Sequence, residues 1–108
     1  MAFRTDLESL VLGVLVAQPR HGYEIVRQIR ALDDDALKIN EGQLYPLLHR
    51  LENDGLVCAE WIPQEGKPPR KVYSLTDKGK GALETRRERW RKFARAVDGI
   101  LLPEPTNG

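Results

Sequence analysis

The sequence predicts a mainly α-helical α+β fold with the element order α-α-α-β-β-α. Apolar residues recur at helical spacing in three segments of the first half, two short strand-like segments follow, and a long charged helix comes last. A third helix followed directly by a basic hairpin is the order of a winged helix-turn-helix. With 108 residues, the chain can form one domain with a modest core.

The first helix is expected at residues 6–17, with Thr5 as its N-cap. One apolar face should pack on the core. Leu12 and Val16 extend the apolar surface round the other side. A helix that is apolar on two faces needs two partners, so we expect the second face to contact another subunit.

The second helix is expected at residues 22–32, after a break at residues 18–22. It opens with His21-Gly22-Tyr23. The free N–H groups of a helix start form a natural phosphate site, so these residues are candidates for contact with a DNA backbone. The alternative is a turn glycine with Tyr23 packed on the core, and both can hold together.

The third helix should begin after Asn40, because Asn40 and Gln43 form a capping box. Gly55 suits the left-handed position that ends it. Four leucines at i, i+3, i+4 and i+7 place one face on the core. They are Leu44, Leu47, Leu48 and Leu51.

The other face of the third helix suits the reading of base edges in a DNA groove. It carries Gln43, Tyr45, Pro46, His49 and Arg50. Gln43 can pair with adenine and Arg50 with guanine, while Tyr45 and His49 can reach a phosphate or a base. Pro46 lacks an N–H and should strain the first turns. The alternative is an ordinary solvated helix face with tolerated strain.

Two strands are expected at residues 56–62 and 70–75, joined by a loop at 63–69 that is too long for a tight hairpin. Lys67, Arg70 and Lys71 concentrate positive charge near its tip, where they can neutralise phosphates or enter a minor groove. Lys71 can instead protect an edge strand from aggregation. Cys58, between apolar neighbours, is expected to be a buried and inert thiol.

The last helix should run from the Thr76-Asp77 cap to about Leu102. Its apolar stripe has a heptad-like spacing that favours dimerisation; the alternative is folding back onto its own domain. The predicted dimer interface comprises Leu83, Trp90, Phe93, Val97, Ile100 and Leu101 of this helix, with Leu12 and Val16 of the first. We therefore divide the chain into a DNA-binding winged helix-turn-helix (1–75), a dimerisation helix (76–102) and a flexible tail (103–108).

Charge and motif content exclude several functional classes. The net charge is +1, but residues 1–54 carry −3 and residues 55–108 carry +4, which favours a polyanionic partner for the second half. A single cysteine excludes a disulfide within the chain, and no Cys/His cluster has metal-ligand spacing. No nucleophile motif or phosphate-binding glycine loop occurs. We expect no enzyme activity, metal or cofactor, no membrane partner, and a cytoplasmic location.

Four segments together resemble the PadR-type transcriptional regulators. They are HGYEI at 21–25, EGQLYP at 41–46, LHRLE at 48–52 and YSLT at 73–76. Trp90 resembles the tryptophan of the subgroup with a short C-terminal helix. Two positions depart from the family pattern: Gln43 stands where Ser or Thr is commoner, and the wing carries the run KPPRK at 67–71.

The resemblance implies a homodimeric repressor that binds double-stranded DNA at a pseudo-palindromic operator and is released by a small effector or a stress signal. In similar family members, paired tryptophans stack on flat aromatic compounds, so Trp90 is a candidate effector residue as well as an interface anchor. Two other functions are compatible with the sequence: a winged-helix module for protein interaction, and a small-molecule-binding protein without operator recognition.

Overall fold

The computed structural model describes residues 7–31 and 41–105, and this part of the chain has the predicted mainly α-helical architecture with a small antiparallel sheet. The helices are α1 (Leu7–Ala17), α2 (Gly22–Ala31), α3 (Glu41–Asn53) and α4 (Asp77–Leu101). The strands are β1 (Arg20–His21), β2 (Val57–Gln64) and β3 (Lys67–Leu75). The predicted caps Thr5 and Asn40 lie outside the described residues.

The core is built from apolar stripes of α1, α2 and α3 that pack together over the sheet. The predicted leucine face of α3 is confirmed, since Leu44, Leu48 and Leu51 are fully buried and Leu47 is 6% exposed. Burial of each such side chain contributes about 1.5–3 kcal/mol to folding. The leucines fix α3 on the core and so decide which of its residues face outward.

The prediction that Leu12 lies in a dimer interface is wrong for this fold, because its side chain is fully buried inside the protomer. Helix α1 is central: α2, α4 and β3 all contact it. The start of α4 is therefore a second partner of this helix within the protomer. Leu83 of α4 is 4% exposed and belongs to the same core, so its predicted place in the dimer interface is corrected as well.

The sheet has three strands in the order β1-β3-β2, so β3 is central where β1 pairs with it. Strand β1 was not predicted, and its two residues pair antiparallel with β3 as Arg20↔Tyr73 and His21↔Val72. A segment of two residues has no periodicity to detect. Lys71 lies just beyond these two pairs, where β3 pairs only with β2, so the alternative that it protects an edge strand stays open.

The hairpin is longer and its turn is tighter than the sequence predicted. Strand β2 extends to Gln64 and β3 begins at Lys67, which leaves Glu65 and Gly66 as the turn. Gly66 has a φ of +71°, a backbone conformation that glycine adopts at little cost. Pro63 lies at the register shift between Ile62 and Gln64, where its missing N–H interrupts no regular ladder. The predicted loop at 63–69 is thus mostly strand.

Cys58 is exposed, which corrects the prediction of a buried thiol. Its neighbour Val57 is buried and Ala59 partly buried, and strand alternation therefore turns Cys58 to the outer face of the sheet. Apolar neighbours in the sequence did not distinguish the two faces of this strand.

The predicted cap of α4 is confirmed. The Thr76 hydroxyl accepts a hydrogen bond from the Gly79 N–H at 3.0 Å and lies within donating distance of the carbonyl oxygens of Gly55 and Leu56. This docks the helix start against the turn between α3 and β2. The buried residues of α4, Gly79 and Leu83, lie in its first two turns. The rest of the helix projects beyond the core.

Candidate nucleic-acid interface

The outer face of α3 presents every side chain that the sequence predicted for it. Gln43, Tyr45, Pro46, His49 and Arg50 are all exposed. Pro46 lies inside the helix, which continues to Asn53. The carbonyl that it leaves without an N–H partner belongs to Gly42, also exposed, so water can satisfy it. The strain expected at Pro46 therefore does not break the helix.

Tyr45 joins the start of α3 to the start of α2. A Cβ added at Gly22 would lie 2.7–2.9 Å from the Tyr45 ring and hydroxyl, so only glycine leaves room for this side chain. Burial against this contact, together with the nearby Glu41 carboxylate, raises the pKa of the Tyr45 hydroxyl. Tyr45 is thus partly a packing residue, and its contact with Gly22 favours glycine at the start of α2.

The start of α2 carries an aromatic and basic group in which Tyr23 and Arg27 are exposed and His21 is half-buried. The His21 and Tyr23 rings stack with centroids 6.2 Å apart, and the Arg27 guanidinium lies 5.9 Å from the Tyr23 centroid. Tyr23 is 54% exposed, so the alternative that packs it on the core is wrong. Burial lowers the pKa of His21, against the opposing effect of Glu24, which lies 2.7 Å away.

The hairpin places its positive charges on different surfaces. Lys67 and Arg70 are exposed, and Arg70 is close enough to His21 to contribute to lowering the pKa of that imidazole. The pairing of His21 with Val72 brings the hairpin next to the start of α2. Tyr45 in turn joins the start of α3 to the start of α2.

Lys71 is engaged within the protomer, which corrects the prediction of a wing charge available at the hairpin tip. Its Nζ lies 3.3 Å from Glu52 Oε1 of α3, and 5.3 and 6.0 Å from the ring centroids of Tyr73 and Trp61. Burial opposes ionisation, but Glu52 and Tyr73 together raise the pKa of Lys71. Lys71 thus ties the hairpin to α3.

Arg50 has a partner that the sequence did not reveal. Its Nη2 lies 2.5 Å from Oε1 of Glu8 in α1. An open groove of about 450 Å³ lies here between α1 and α3, lined by Leu7, Glu8, Gln43, Pro46, Leu47 and Arg50. Glu8 was visible in the sequence only as an acidic residue in a first helical turn, and no local spacing signals a contact across 42 positions.

The projecting part of α4 carries an exposed apolar stripe. Trp90 is 55% and Phe93 50% exposed, and their ring centroids lie 5.8 Å apart. Towards the helix end, Ile100 and Leu101 are also exposed, while Val97 is half-buried. Val16, the remaining predicted interface residue of α1, is 40% exposed. Clustered apolar side chains at a surface mark a binding site more often than isolated ones do.

In the part of the chain that the structure describes, no group of three potential metal ligands occurs. No helix there is long and apolar enough to span a bilayer.

Comparison with known proteins gives consistent results. Residues 11–85 match the model of the transcriptional regulator PadR-like family. The transcriptional regulator Rv3488 of Mycobacterium tuberculosis is 38% identical over 89 residues, covering 82% of this chain and 69% of that protein. The negative transcriptional regulator PadR of Bacillus subtilis is 30% identical over 77 residues, which cover 71% of this chain and 42% of the longer relative.

Solved structures agree with this relationship. A PadR-like transcriptional regulator from Bacillus cereus is 28% identical to this chain and superposes with a TM-score of 0.79, covering 91% of this chain and 93% of that one. The similarity therefore includes the helices, the hairpin and most of α4.

Proposed function

The chain belongs to the PadR-like family of transcriptional regulators, and from this premise we propose that it is a homodimeric repressor that binds a pseudo-palindromic DNA operator. The observation that carries the proposal is the outer face of α3, which is polar and exposed; the helix contacts the α2 start through Tyr45 and the basic hairpin through Glu52 and Lys71. Regulators of this family are generally not enzymes, and we propose no catalytic role.

We propose that α3 lies in the major groove and reads bases through Gln43, His49 and Arg50. Gln43, Pro46 and Arg50 follow one another at i, i+3 and i+7, which puts them on a single stripe of the helix. Gln43 offers a donor and an acceptor to adenine, and Arg50 a fork of donors to guanine. Tyr45, held against Gly22, is better placed for a phosphate next to the groove.

Contacts to the DNA backbone are assigned to the flanking elements. His21 and Tyr23 at the α2 start, and Lys67 and Arg70 on the hairpin, are candidates for phosphate or minor-groove contact. Such contacts set the position of α3 on the duplex and supply affinity that depends on salt but not on sequence. A regulator must reach DNA, so we expect this chain in the cytoplasm of a bacterial cell such as those of its relatives.

The partner on the α4 stripe is proposed to be a second copy of the chain. A tryptophan and a phenylalanine in contact, continued by aliphatic residues, form the kind of anchor that dominates binding energy at interfaces. A twofold axis near α4 would place two α3 helices in successive major grooves, about 34 Å apart. The operator would then be a pseudo-palindrome.

Trp90 also supports a second proposal, namely that a flat aromatic effector stacks between two copies of it at the dimer axis. The supporting observation is its exposed ring beside Phe93. Quenching of tryptophan fluorescence by planar aromatic compounds tests this, with Trp61→Phe as the background because Trp61 is 66% exposed and would contribute. In that background Trp90 is the single remaining tryptophan, so fluorescence that such compounds leave unquenched would contradict the effector proposal.

The operator is tested by selecting duplexes from a random DNA library and measuring their affinity at several salt concentrations. We expect an enriched sequence with twofold symmetry and tight binding that survives excess non-specific competitor. Two rivals give different results. A protein-interaction module would enrich no DNA sequence. A small-molecule-binding protein would also enrich none, but planar aromatic compounds would still quench its Trp90 fluorescence.

The wing offers an internal control for this assay. Lys67→Gln and Arg70→Gln should each weaken binding to all duplexes and reduce the slope of log K against log salt by up to about 0.9. Lys71→Gln removes a charge that Glu52 already holds, so the slope should stay near the wild-type value. Its effect should be a loss of unfolding free energy of up to about 1 kcal/mol, measured by urea denaturation. A slope reduced by Lys71→Gln but not by Arg70→Gln would reverse this assignment.

A further inference from the structure

Glu8 of α1 lies between two arginines that come from different helices. Oε1 accepts a hydrogen bond from Nη2 of Arg50 on α3, and Oε2 accepts one from Nη2 of Arg86 on α4 at 2.8 Å. Arg86 also lies 3.4 Å from the Ser9 hydroxyl. One carboxylate thus connects the outer face of α3 with the helix that carries the apolar stripe.

The two arginines differ in exposure, which gives them different roles. The side chains of Glu8 and Arg86 are 22% and 23% exposed, whereas that of Arg50 is 61% exposed. Arg86 is therefore the inner anchor of the carboxylate and Arg50 the outer, more exposed partner. The Arg50 hydrogen bond, together with that of Arg86 and against the effect of burial, lowers the pKa of Glu8. The carboxylate is ionised at neutral pH.

We propose that Glu8 is a specificity-determining residue, which holds Arg50 in place on α3 and keeps it from binding phosphates of non-operator DNA. The inference rests on the proposed function of α3. An untethered arginine on a DNA-facing surface can reach any nearby phosphate, because its side chain is long and its charge is permanent. A guanidinium has five N–H donors, so Arg50 held by Glu8 can still pair with a base edge that comes to it.

The tether gives Arg50 two different environments. On a non-operator duplex, a phosphate must compete with Glu8 for the guanidinium, so its contact with Arg50 adds little to the binding free energy. On the operator, a correctly placed guanine accepts from the remaining donors without displacing Glu8. Glu8 therefore weakens non-specific binding more than specific binding, and it raises the ratio between them.

The test compares wild type with Glu8→Gln, which keeps the size of the side chain and removes its charge. Binding to non-operator DNA at low salt should tighten roughly three- to fivefold, and the salt slope should steepen by about 0.9, the value for one added phosphate contact. Operator affinity should change less than twofold. The matched control is Glu84→Gln, which removes an exposed carboxylate paired with Arg87 on α4 and should leave both affinities unchanged.

The same measurement in an Arg50→Gln background separates a tether from a general charge effect. With Arg50 absent, Glu8→Gln should change non-operator binding by less than twofold. If the three- to fivefold tightening persists there, Glu8 acts through bulk charge and the proposal is overturned. Arg86→Gln, which removes the inner anchor but keeps the carboxylate, should tighten non-operator binding in the same direction.

Failure of this inference is distinguishable from failure of the proposed function. If α3 does not read DNA, the wild-type chain enriches no sequence. If the function holds and the tether does not, the wild type selects an operator while non-operator binding is the same in Glu8→Gln and wild type. Circular dichroism of each variant identifies any change in folding.

Discussion

Replacing Gly79 by alanine should destabilise the protein by about 2–4 kcal/mol, although alanine is normally the better helix former. A Cβ at this position would lie 2.0 Å from the carbonyl oxygen of Leu56 and 2.8 Å from Cδ1 of Leu75. The carbonyl cannot easily retreat, because it also accepts a hydrogen bond from the Thr76 N–H at 3.1 Å. The start of α4 would have to move away from the turn after α3.

Gly81 provides the matched control, two residues further along the same helix. A Cβ at Gly81 meets nothing within 4 Å, so Gly81→Ala should stabilise the protein by about 0.5–1 kcal/mol through helix propensity. Urea denaturation followed by circular dichroism measures both variants. Stabilisation by both substitutions would show that propensity, and not the contact with Leu56, decides the effect at Gly79.

Replacing Trp90 by glutamate should break the proposed dimer. A charge at the centre of the α4 stripe removes its largest anchor on both copies, and the dimer dissociation constant should rise by at least about 30-fold. Operator affinity should fall with it, since a monomer contacts one half-site. Sedimentation equilibrium and operator titration of the same samples test the two effects together.

Gly99→Glu is the control for this substitution. Gly99 is an exposed residue of α4 on the side opposite Trp90, a Cβ added there meets nothing within 4 Å, and glutamate has a better helix propensity than glycine. It adds the same charge and should leave the dimer intact. A Trp90→Glu protein that stays dimeric would contradict the assignment of the α4 stripe as the dimer interface. Equal dissociation of both variants would indicate a general charge effect.

The helices were predictable because each signal is local. Four leucines at helical spacing define the inner face of α3, and a threonine with an acidic residue after it marks the start of α4. These patterns depend on residues a few positions apart. The same periodicity predicts an exposed polar face on α3 opposite the leucines, and the polar residues of that face are exposed in the structure.

Several errors share one physical cause, namely contacts between residues far apart in the chain. The apolar surface of α1 at Leu12 suggested a second subunit, but Leu12 is fully buried in the core of the protomer. Lys71 looked like a wing charge until the hairpin register placed it beside Glu52, 19 positions earlier. Glu8 is the clearest case, since its partners are 42 and 78 positions away. No periodicity in one sequence carries that information.

The hairpin error has a different origin. Three prolines and a glycine in residues 63–69 favoured a loop, because proline removes a donor from a regular ladder. The register shift after Ile62 accommodates Pro63, and the two-residue turn needs only Gly66 in a left-handed conformation. The strands can therefore contain these prolines, because Pro63 lies at a register shift and Pro68 and Pro69 lie at the start of β3.

The most direct test of the DNA-reading face is the ratio of operator to non-operator affinity in wild type and in Arg50→Ala, measured at the same salt concentration. We expect the wild-type ratio to be about 10³ or more, and the variant to lose about 1–3 kcal/mol of operator binding. Arg91→Ala, which removes an arginine from α4 instead, should keep the ratio. An unchanged ratio in Arg50→Ala, or a wild-type ratio near one, would contradict the assignment of α3 as the element that reads DNA.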